Sequence, residues 1–448
     1  MKGIGGVQDG SAPTFTGAVK RVVVLGGGPC GVAVAHQLAH LYDGFHVTIV
    51  DTKEYYEDTP SVLRMMTGDD VDEMWPHMTI PFGEVLRGKG ESIVGAVTAV
   101  RRDHVLVGTT AGVASRVLPY DYLVISTGTS YQSDIKTEGA SVAHRKKSFT
   151  AERQRMCDVD SFSVVGSGLV GIELATDLKS YFPDKQVDVF TRSQGWLPRV
   201  PGAHAMVNEV CVKLGVQLHV GKEIMHTDEE GRVVTIDGEH LGAKGAKTFW
   251  CGGYKPNSDY LADSRTDRGI AEQLDVGGFV KVRRTMQLPG AGLEHIFAGG
   301  DITWTAAHSH GERTANMAML HAGPIVQNIL LLAGRREGKL QQVKINAFAG
   351  VDILAVSLGT NAGLLYATNP VYEMFFRDKD GIRTKCGEIA DAGVGGWQEV
   401  QEGKMSEMYS INWLMFSMFP EGVANLITKD DMTVWDQFCA PYIEDVEG

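Results

Sequence analysis

Three glycines, Gly26, Gly28 and Gly31, stand at G-x-G-x-x-G spacing, and an acid, Asp51, follows about 20 residues beyond the last of them. Each glycine in such a turn has its own task. The first permits a tight bend, the second lets backbone approach a pyrophosphate, and the third lets a helix pack closely on a strand. An acid at that distance belongs where a carboxylate meets a ribose 2′-hydroxyl. The chemistry is dinucleotide binding, provided that the right elements flank the turn, because the spacing alone also occurs in ordinary turns. They do: Arg21–Leu25 reads as a buried apolar strand, Val32, Ala35, Leu38, Ala39 and Tyr42 recur at helical spacing, and His46–Val50 is a second strand closed by Asp51. Gly27, Pro29 and Cys30 fill the turn itself.

The pattern then repeats. Ser161–Val165 is a strand, and Gly166, Gly168 and Gly171 restore the spacing with Leu169 and Val170 between them. Leu174, Ala175, Leu178 and Phe182 form a helical face, and Val187–Phe190 is the next strand. Two copies of the unit imply two nucleotides. Here the second strand ends in Thr191-Arg192 rather than an acid. A carboxylate there favours NADH, whereas Arg192 suits a 2′-phosphate and hence NADPH, the alternative being a solvent-exposed arginine. Two further strands run into glycine: Tyr120–Thr129 at Thr127-Gly128, and Ala246–Gly253 at Gly252-Gly253. A third, from His295, ends in Gly300-Asp301. His308 and His310 lack a third ligand and read as loop residues, so no metal is expected.

The remaining elements position these turns. Lys53–Arg64 fits neither a strand nor a long amphipathic helix and reads as a cleft-lining loop or a solvated connection. Ser92–Val100 and His104–Val107 read as strands of a small antiparallel sheet, and Lys136–Asp160 as an exposed linker. Lys213–Val220 is a helix end feeding a strand, Gly278–Arg284 a further run, and a helix is expected from about Arg313 to Leu332. Ile353–Gly359 is a strand followed by a turn at Thr360–Gly363, and the aromatic and Met-rich run Tyr409–Phe419 is either a buried helix of a C-terminal domain or a partner-binding or interfacial one. The expected division is a lead-in over 1–18, a first nucleotide-binding domain over 19–150 and again over 273–340, a second over 151–272, and a C-terminal domain over 341–448.

Charge and cysteine usage exclude some functions. A net charge of −13 repels a phosphate backbone, so nucleic acid is not an expected partner. The six cysteines are isolated, with no C-x-x-C pair, which points to an intracellular reducing compartment and away from a redox-active disulfide or clustered zinc. Nothing before Val19 has the apolar core of a signal peptide, and no run reaches the roughly 18 apolar residues of a membrane span. The chain is therefore expected not to be secreted. It is placed in the cytoplasm or mitochondrion, with peripheral membrane contact left open.

These motifs resemble the two-dinucleotide-binding flavoproteins among the pyridine-nucleotide oxidoreductases. The echoes Val50–Lys53, Leu63-Arg64, Gly171–Glu173, Gly215–Leu218, Leu320–Ala322 and Ser357–Gly363 look most like the apoptosis-inducing-factor-like group with its ferroptosis-suppressor quinone reductases and, more distantly, the type II NADH dehydrogenases. The resemblance spans roughly Val19 to Gly363. It implies an α/β fold of two Rossmann-like domains of the glutathione-reductase type plus a C-terminal α+β domain.

It also implies FAD in the first unit and NADH or NADPH in the second, held at Gly166–Gly171 and the Gly253 exit. Gly26–Gly31 would hold the FAD pyrophosphate at a helix N-terminus. Asp51, with Lys53 beside it, would take the adenosine ribose, Arg64 the phosphate side, and the backbone near Ile93 the adenine. Asp301 would bind the ribityl chain, Thr127, Gly128 and Gly300 would be further FAD contacts where backbone approaches closely, and His321 would lie next to the flavin ring. Glu173 matches an acid near the nicotinamide, where it would orient the ring or move a proton, its alternative being a helix-surface glutamate.

The activity implied is hydride transfer from nicotinamide to flavin, then electrons to an acceptor. Without a cysteine pair the disulfide-reductase branch is excluded, and that acceptor is expected to be a quinone or another diffusible oxidant. An FAD-holding but catalytically silent subunit of a larger assembly, and a reductase of a small iron–sulfur protein, are the competing expectations. A homodimer, or a partner or membrane bound through the tail, is compatible with each. The sequence departs from the family pattern at Cys30, at Gly252-Gly253, and at a C-terminal lysine for which Lys379 and Lys385 both stand as candidates.

Overall fold

The computed structural model describes residues 17–108, 116–133, 135–136, 141–198, 204–304, 313–343, 353–360, 363–367 and 443–445. Its framework is two parallel sheets. In the first, Lys20–Leu25 lies centrally, with Phe45–Asp51 and then Gly90–Val94 on one side, and Tyr122–Ile125 and then Ile296–Ala298 on the other. Val22, Val24, Leu25, Leu123, Val124 and Ile125 are fully buried, as a parallel strand covered on both faces requires. Helices Pro29–His40 and Ala315–Leu332 pack against one another over this sheet.

The second sheet runs Val216–His219, Gln186–Phe190, Ser161–Val165, Lys247–Trp250, again all parallel, with helix Leu169–Tyr181 following its first strand. Each sheet reverses direction of growth at its first strand. The crevice that this creates lies beyond the strands' carboxyl ends and is where ligands bind in open α/β sheets. Consequently the turns after Leu25, Ile125 and Ala298 sit side by side, as do those after Val165 and Trp250. The architecture is two Rossmann-type domains.

Several expectations need correction. Lys136–Asp160 is not an exposed linker: Val142–Cys157 is a helix whose N-cap Ser141 accepts from the His144 N–H, and whose Arg145, Phe149, Glu152 and Met156 are buried on one face. Five Lys and Arg side chains mask that periodicity in the sequence. Lys53–Arg64 contains strand Tyr55–Glu57, and a helix begins at Val62. The run Ser92–Val100 splits at Gly95: Gly90–Val94 extends the parallel sheet, and Ala96–Val100 starts the antiparallel one with His104–Gly108 and Arg116–Pro119. The runs at Tyr409–Phe419, His308, His310, Lys379 and Lys385 lie outside the described residues.

Candidate nucleotide sites

The first cradle forms where Leu25 gives way to helix Pro29–His40. Gly26 has a φ of 93°, and a side chain on it would run into the Ser126 carbonyl of the neighbouring exit. A side chain on Gly31 would strike the Gly26 carbonyl. Gly28 is the opposite case: nothing lies within 4 Å of where its Cβ would be, and as N-cap it supplies no side-chain hydrogen bond to the helix. The first N–H groups of a helix have no intrahelical acceptor, and with room left at Gly28 this helix N-terminus is a natural seat for an anion. Asp51 closes the cradle; its carboxylate accepts from the Gly27 N–H at 2.6 Å and the Lys53 N–H at 2.8 Å. Pro29 opens the helix, and buried Cys30 behind it has its thiol pushed well above the usual range by burial and by Asp301.

The second cradle repeats this construction. Gly166 has a φ of 119°, with its Cβ position 2.8 Å from the Gly252 nitrogen, Gly171 abuts the Gly166 carbonyl, and Gly168 faces open space. Leu169 and Val170 form the first helical turn, half-buried. Ser167, which the sequence did not single out, ties the loop after Phe190 to this cradle. Its hydroxyl lies 3.0 Å from Thr191 Oγ1 and 2.9 Å from the Gly195 carbonyl, while its own carbonyl accepts from the Leu197 N–H. Thr191 is buried in that tie, and Arg192 beside it is exposed.

The two exits meet. Thr129–Ser130 pairs antiparallel with Lys255–Pro256, Asn257 donates from its side chain to the Thr127 carbonyl at 2.9 Å, and its N–H donates to the Gly128 carbonyl at 3.0 Å. Thr127 returns a hydroxyl bond to the Asn257 carbonyl. The Cβ positions of Gly128 and Gly253 are both open.

At the third exit His321 is buried, and its Nδ1 accepts from the Gly300 N–H at 3.0 Å, which fixes the turn carrying Asp301. The Asp301 carboxylate lies 3.5 Å from Lys136 Nζ and 3.4 Å from Thr129 Oγ1, and its main-chain carbonyl accepts from Arg313 Nε at 3.0 Å. Lys136 and Arg313 entered the sequence reading only as element boundaries, since neither belongs to a spaced motif.

Other expected site residues are placed differently. Arg64 does not face the cleft: it is buried, pairs with Asp177 at 2.9 Å and donates to the Gly359 carbonyl at 3.0 Å. Its partner is a carboxylate one turn along the second lobe's helix from Glu173, which the sequence cannot bring near residue 64. Glu173 is not a surface residue. Burial pushes its carboxyl up to about 8, opposed by the Ser357 N–H that donates to Oε1 at 3.0 Å and by Arg64. Glu173, Asp177 and Ser180 thus share one helix face that holds the run Val356–Thr360. The Lys53 ammonium turns to Glu57, 3.9 Å away, while Ile93, expected to meet the adenine through its backbone, has its side chain in the core on strand Gly90–Val94.

Among the described residues no cluster of His, Cys, Asp and Glu could hold a metal ion, and no helix is long and apolar enough to cross a membrane.

The model of the pyridine nucleotide-disulphide oxidoreductase family matches residues 20–322, which include both cradles and all three exits. Ferroptosis suppressor protein 1 of Homo sapiens is 24% identical over 373 residues, covering 79% of this chain and 90% of that protein. The sulfide:quinone oxidoreductase of Aquifex aeolicus shares the fold with a TM-score of 0.60 at 15% identity, over 90% of this chain and 96% of that one. NDH2 from Plasmodium falciparum does so with a TM-score of 0.60 at 12% identity, over 84% and 99%. The chain belongs to the pyridine nucleotide-disulphide oxidoreductase family, and it is an oxidoreductase that works with FAD and NAD(P)H.

Proposed function

We propose that the chain takes hydride from NAD(P)H onto FAD and passes the electrons to a diffusible quinone. FAD supplies the hydride and electron chemistry when bound; the protein supplies holding, orientation and exclusion of water. In this reading the backbone of Gly26–Gly31 at the helix N-terminus holds the FAD pyrophosphate, Asp51 the adenosine ribose and Asp301 the ribityl chain. Gly166–Gly171 holds the nicotinamide nucleotide, and exposed Arg192 accepts a 2′-phosphate, which selects NADPH. The observation that carries it is the ladder Thr129–Ser130 against Lys255–Pro256, which brings the open Gly128 and Gly253 turns of the two crevices together.

A quinone is favoured because the sequence has no C-x-x-C to relay electrons through a disulfide, and the described cysteines are free. A fold neighbour is a quinone oxidoreductase by name. The purified protein is expected to be yellow, to bleach on anaerobic addition of NADPH or NADH, and to regain its colour with a soluble quinone. Yellow protein that never bleaches overturns the catalytic reading in favour of an FAD-holding subunit. Reoxidation by ferredoxin but not by quinone overturns the acceptor.

A further inference from the structure

Arg313 sits just ahead of helix Ala315–Leu332 and uses its whole guanidinium fork. Nε donates to the Asp301 carbonyl at 3.0 Å, Nη1 to the Tyr254 hydroxyl at 2.6 Å, and Nη2 to the Thr303 carbonyl at 3.3 Å. Its central carbon lies 4.1 Å from the ring centre of Phe279 and 5.1 Å from that of Tyr254. Tyr254 meets Tyr131 edge to face, 6.4 Å between ring centres, and the Tyr131 ring faces Lys136 Nζ, the same ammonium that reaches the Asp301 carboxylate. Asp301 is thereby held by a cation on its carboxylate and another on its carbonyl, and both cations rest on one aromatic ladder.

Tyr254 directly follows Gly253, the open turn of the second crevice. Asp301 ends the third strand of the first crevice. One side chain therefore touches the outlet of each. Only an arginine can do this: a planar fork with five donors reaches three acceptors in fixed directions while its face stacks on rings, whereas a lysine's three donors all radiate from one nitrogen and cannot span them.

We propose that Arg313 is a positioning residue that couples the FAD-side turn at Asp301 to the nicotinamide-side turn at Tyr254. The inference rests on the FAD and NAD(P)H reading above. Fixing the Asp301 carbonyl sets the direction of its carboxylate, and fixing the Tyr254 hydroxyl sets the turn that faces it. Loss of the fork relaxes both at once, whereas loss of the Tyr254 hydroxyl relaxes only the second.

The test compares Arg313→Met, Arg313→Lys and Tyr254→Phe with the parent, each checked for folding by circular dichroism. FAD affinity is read from flavin fluorescence, and the rate of anaerobic flavin reduction at saturating NADPH from stopped flow. Arg313→Met is expected to weaken FAD binding and slow reduction, each about tenfold or more, the scale of a lost charged hydrogen bond. Arg313→Lys should recover part of the FAD affinity but not the reduction rate. Tyr254→Phe should slow reduction while leaving FAD affinity within about twofold. Arg313→Met matching the parent in both measurements overturns the proposal, and so does Tyr254→Phe loosening FAD as much as Arg313→Met. If Arg313→Met does not fold, Arg313→Lys takes its place: a parental reduction rate in Arg313→Lys, or Tyr254→Phe loosening FAD as much as Arg313→Lys, overturns the proposal. A parent that binds no FAD fails the functional reading instead, before any variant is compared.

Discussion

Arg64 and Asp177 form a buried ion pair across the two lobes, 2.9 Å apart with each side chain about 2% exposed, and the same guanidinium holds the carbonyl of Gly359. Three stretches far apart in sequence meet at one charge.

Removing either partner strands the other in the core, which costs about 3–5 kcal/mol. Arg64→Met and Asp177→Leu should each lower the denaturant midpoint sharply. The double variant should lose less than the two losses added, because no buried charge is left unpaired. Equal and additive losses in guanidinium titrations would show that the pair contributes as two independent side chains.

Glu173 makes stability depend on pH. Its folded carboxyl titrates near 8 against an ordinary value of 4.5. Between those values the native state binds the proton more than the unfolded chain does, so stability falls as pH rises through that window. Below about 4.5 the contribution is fully present, and it is lost by the time pH passes about 8. Glu173→Gln keeps an acceptor for the Ser357 N–H but cannot titrate. Its melting temperature should therefore drop less than the parent's between pH 5 and pH 8, and parallel curves would refute the assignment.

The two cradle glycines should respond differently to a methyl group. Gly31→Ala meets the Gly26 carbonyl and should destabilise the fold by about 1–3 kcal/mol or more. Gly28→Ala has room in the protein and should melt within a degree or so of the parent, yet it occupies the space in front of the helix N-terminus. Its FAD affinity should fall about tenfold, read by fluorescence titration.

Arg192 is exposed beside a loop that Ser167 holds rigidly. Arg192→Ala should raise the KM for NADPH about tenfold, as loss of a charge-assisted contact does, with the NADH value nearly unchanged. Equal effects on both coenzymes would rule out a 2′-phosphate contact.

Both glycine turns and their flanking strands and helices were legible because each residue's task is local: a tight bend, an open approach, a close helix contact. The Thr127, Gly253 and Asp301 exits were legible for the same reason. Arg64 was not, since its partner Asp177 is set by how two lobes meet rather than by any spacing. The helix Val142–Cys157 was hidden because its buried face contains Arg145 and Glu152; Arg145 is neutralised by Glu57, and Glu152 pairs with Lys247 and Arg155. Neither Arg313 nor Tyr254 could be read as a site residue, because a cation set against rings from distant segments has no signature in one dimension.

The chain leaves the first sheet through Thr129–Ser130 and comes back through Lys255–Pro256, and these two short strands are bonded to each other. The second lobe is therefore an insertion whose ends are already stapled at its neck. Opening it as a unit leaves the first sheet's strands paired but must break the buried Arg64–Asp177 contact, so amide hydrogens of Ser161–Val165 and Gln186–Phe190 should exchange together, earlier than those of Lys20–Leu25, and earlier still in Arg64→Met.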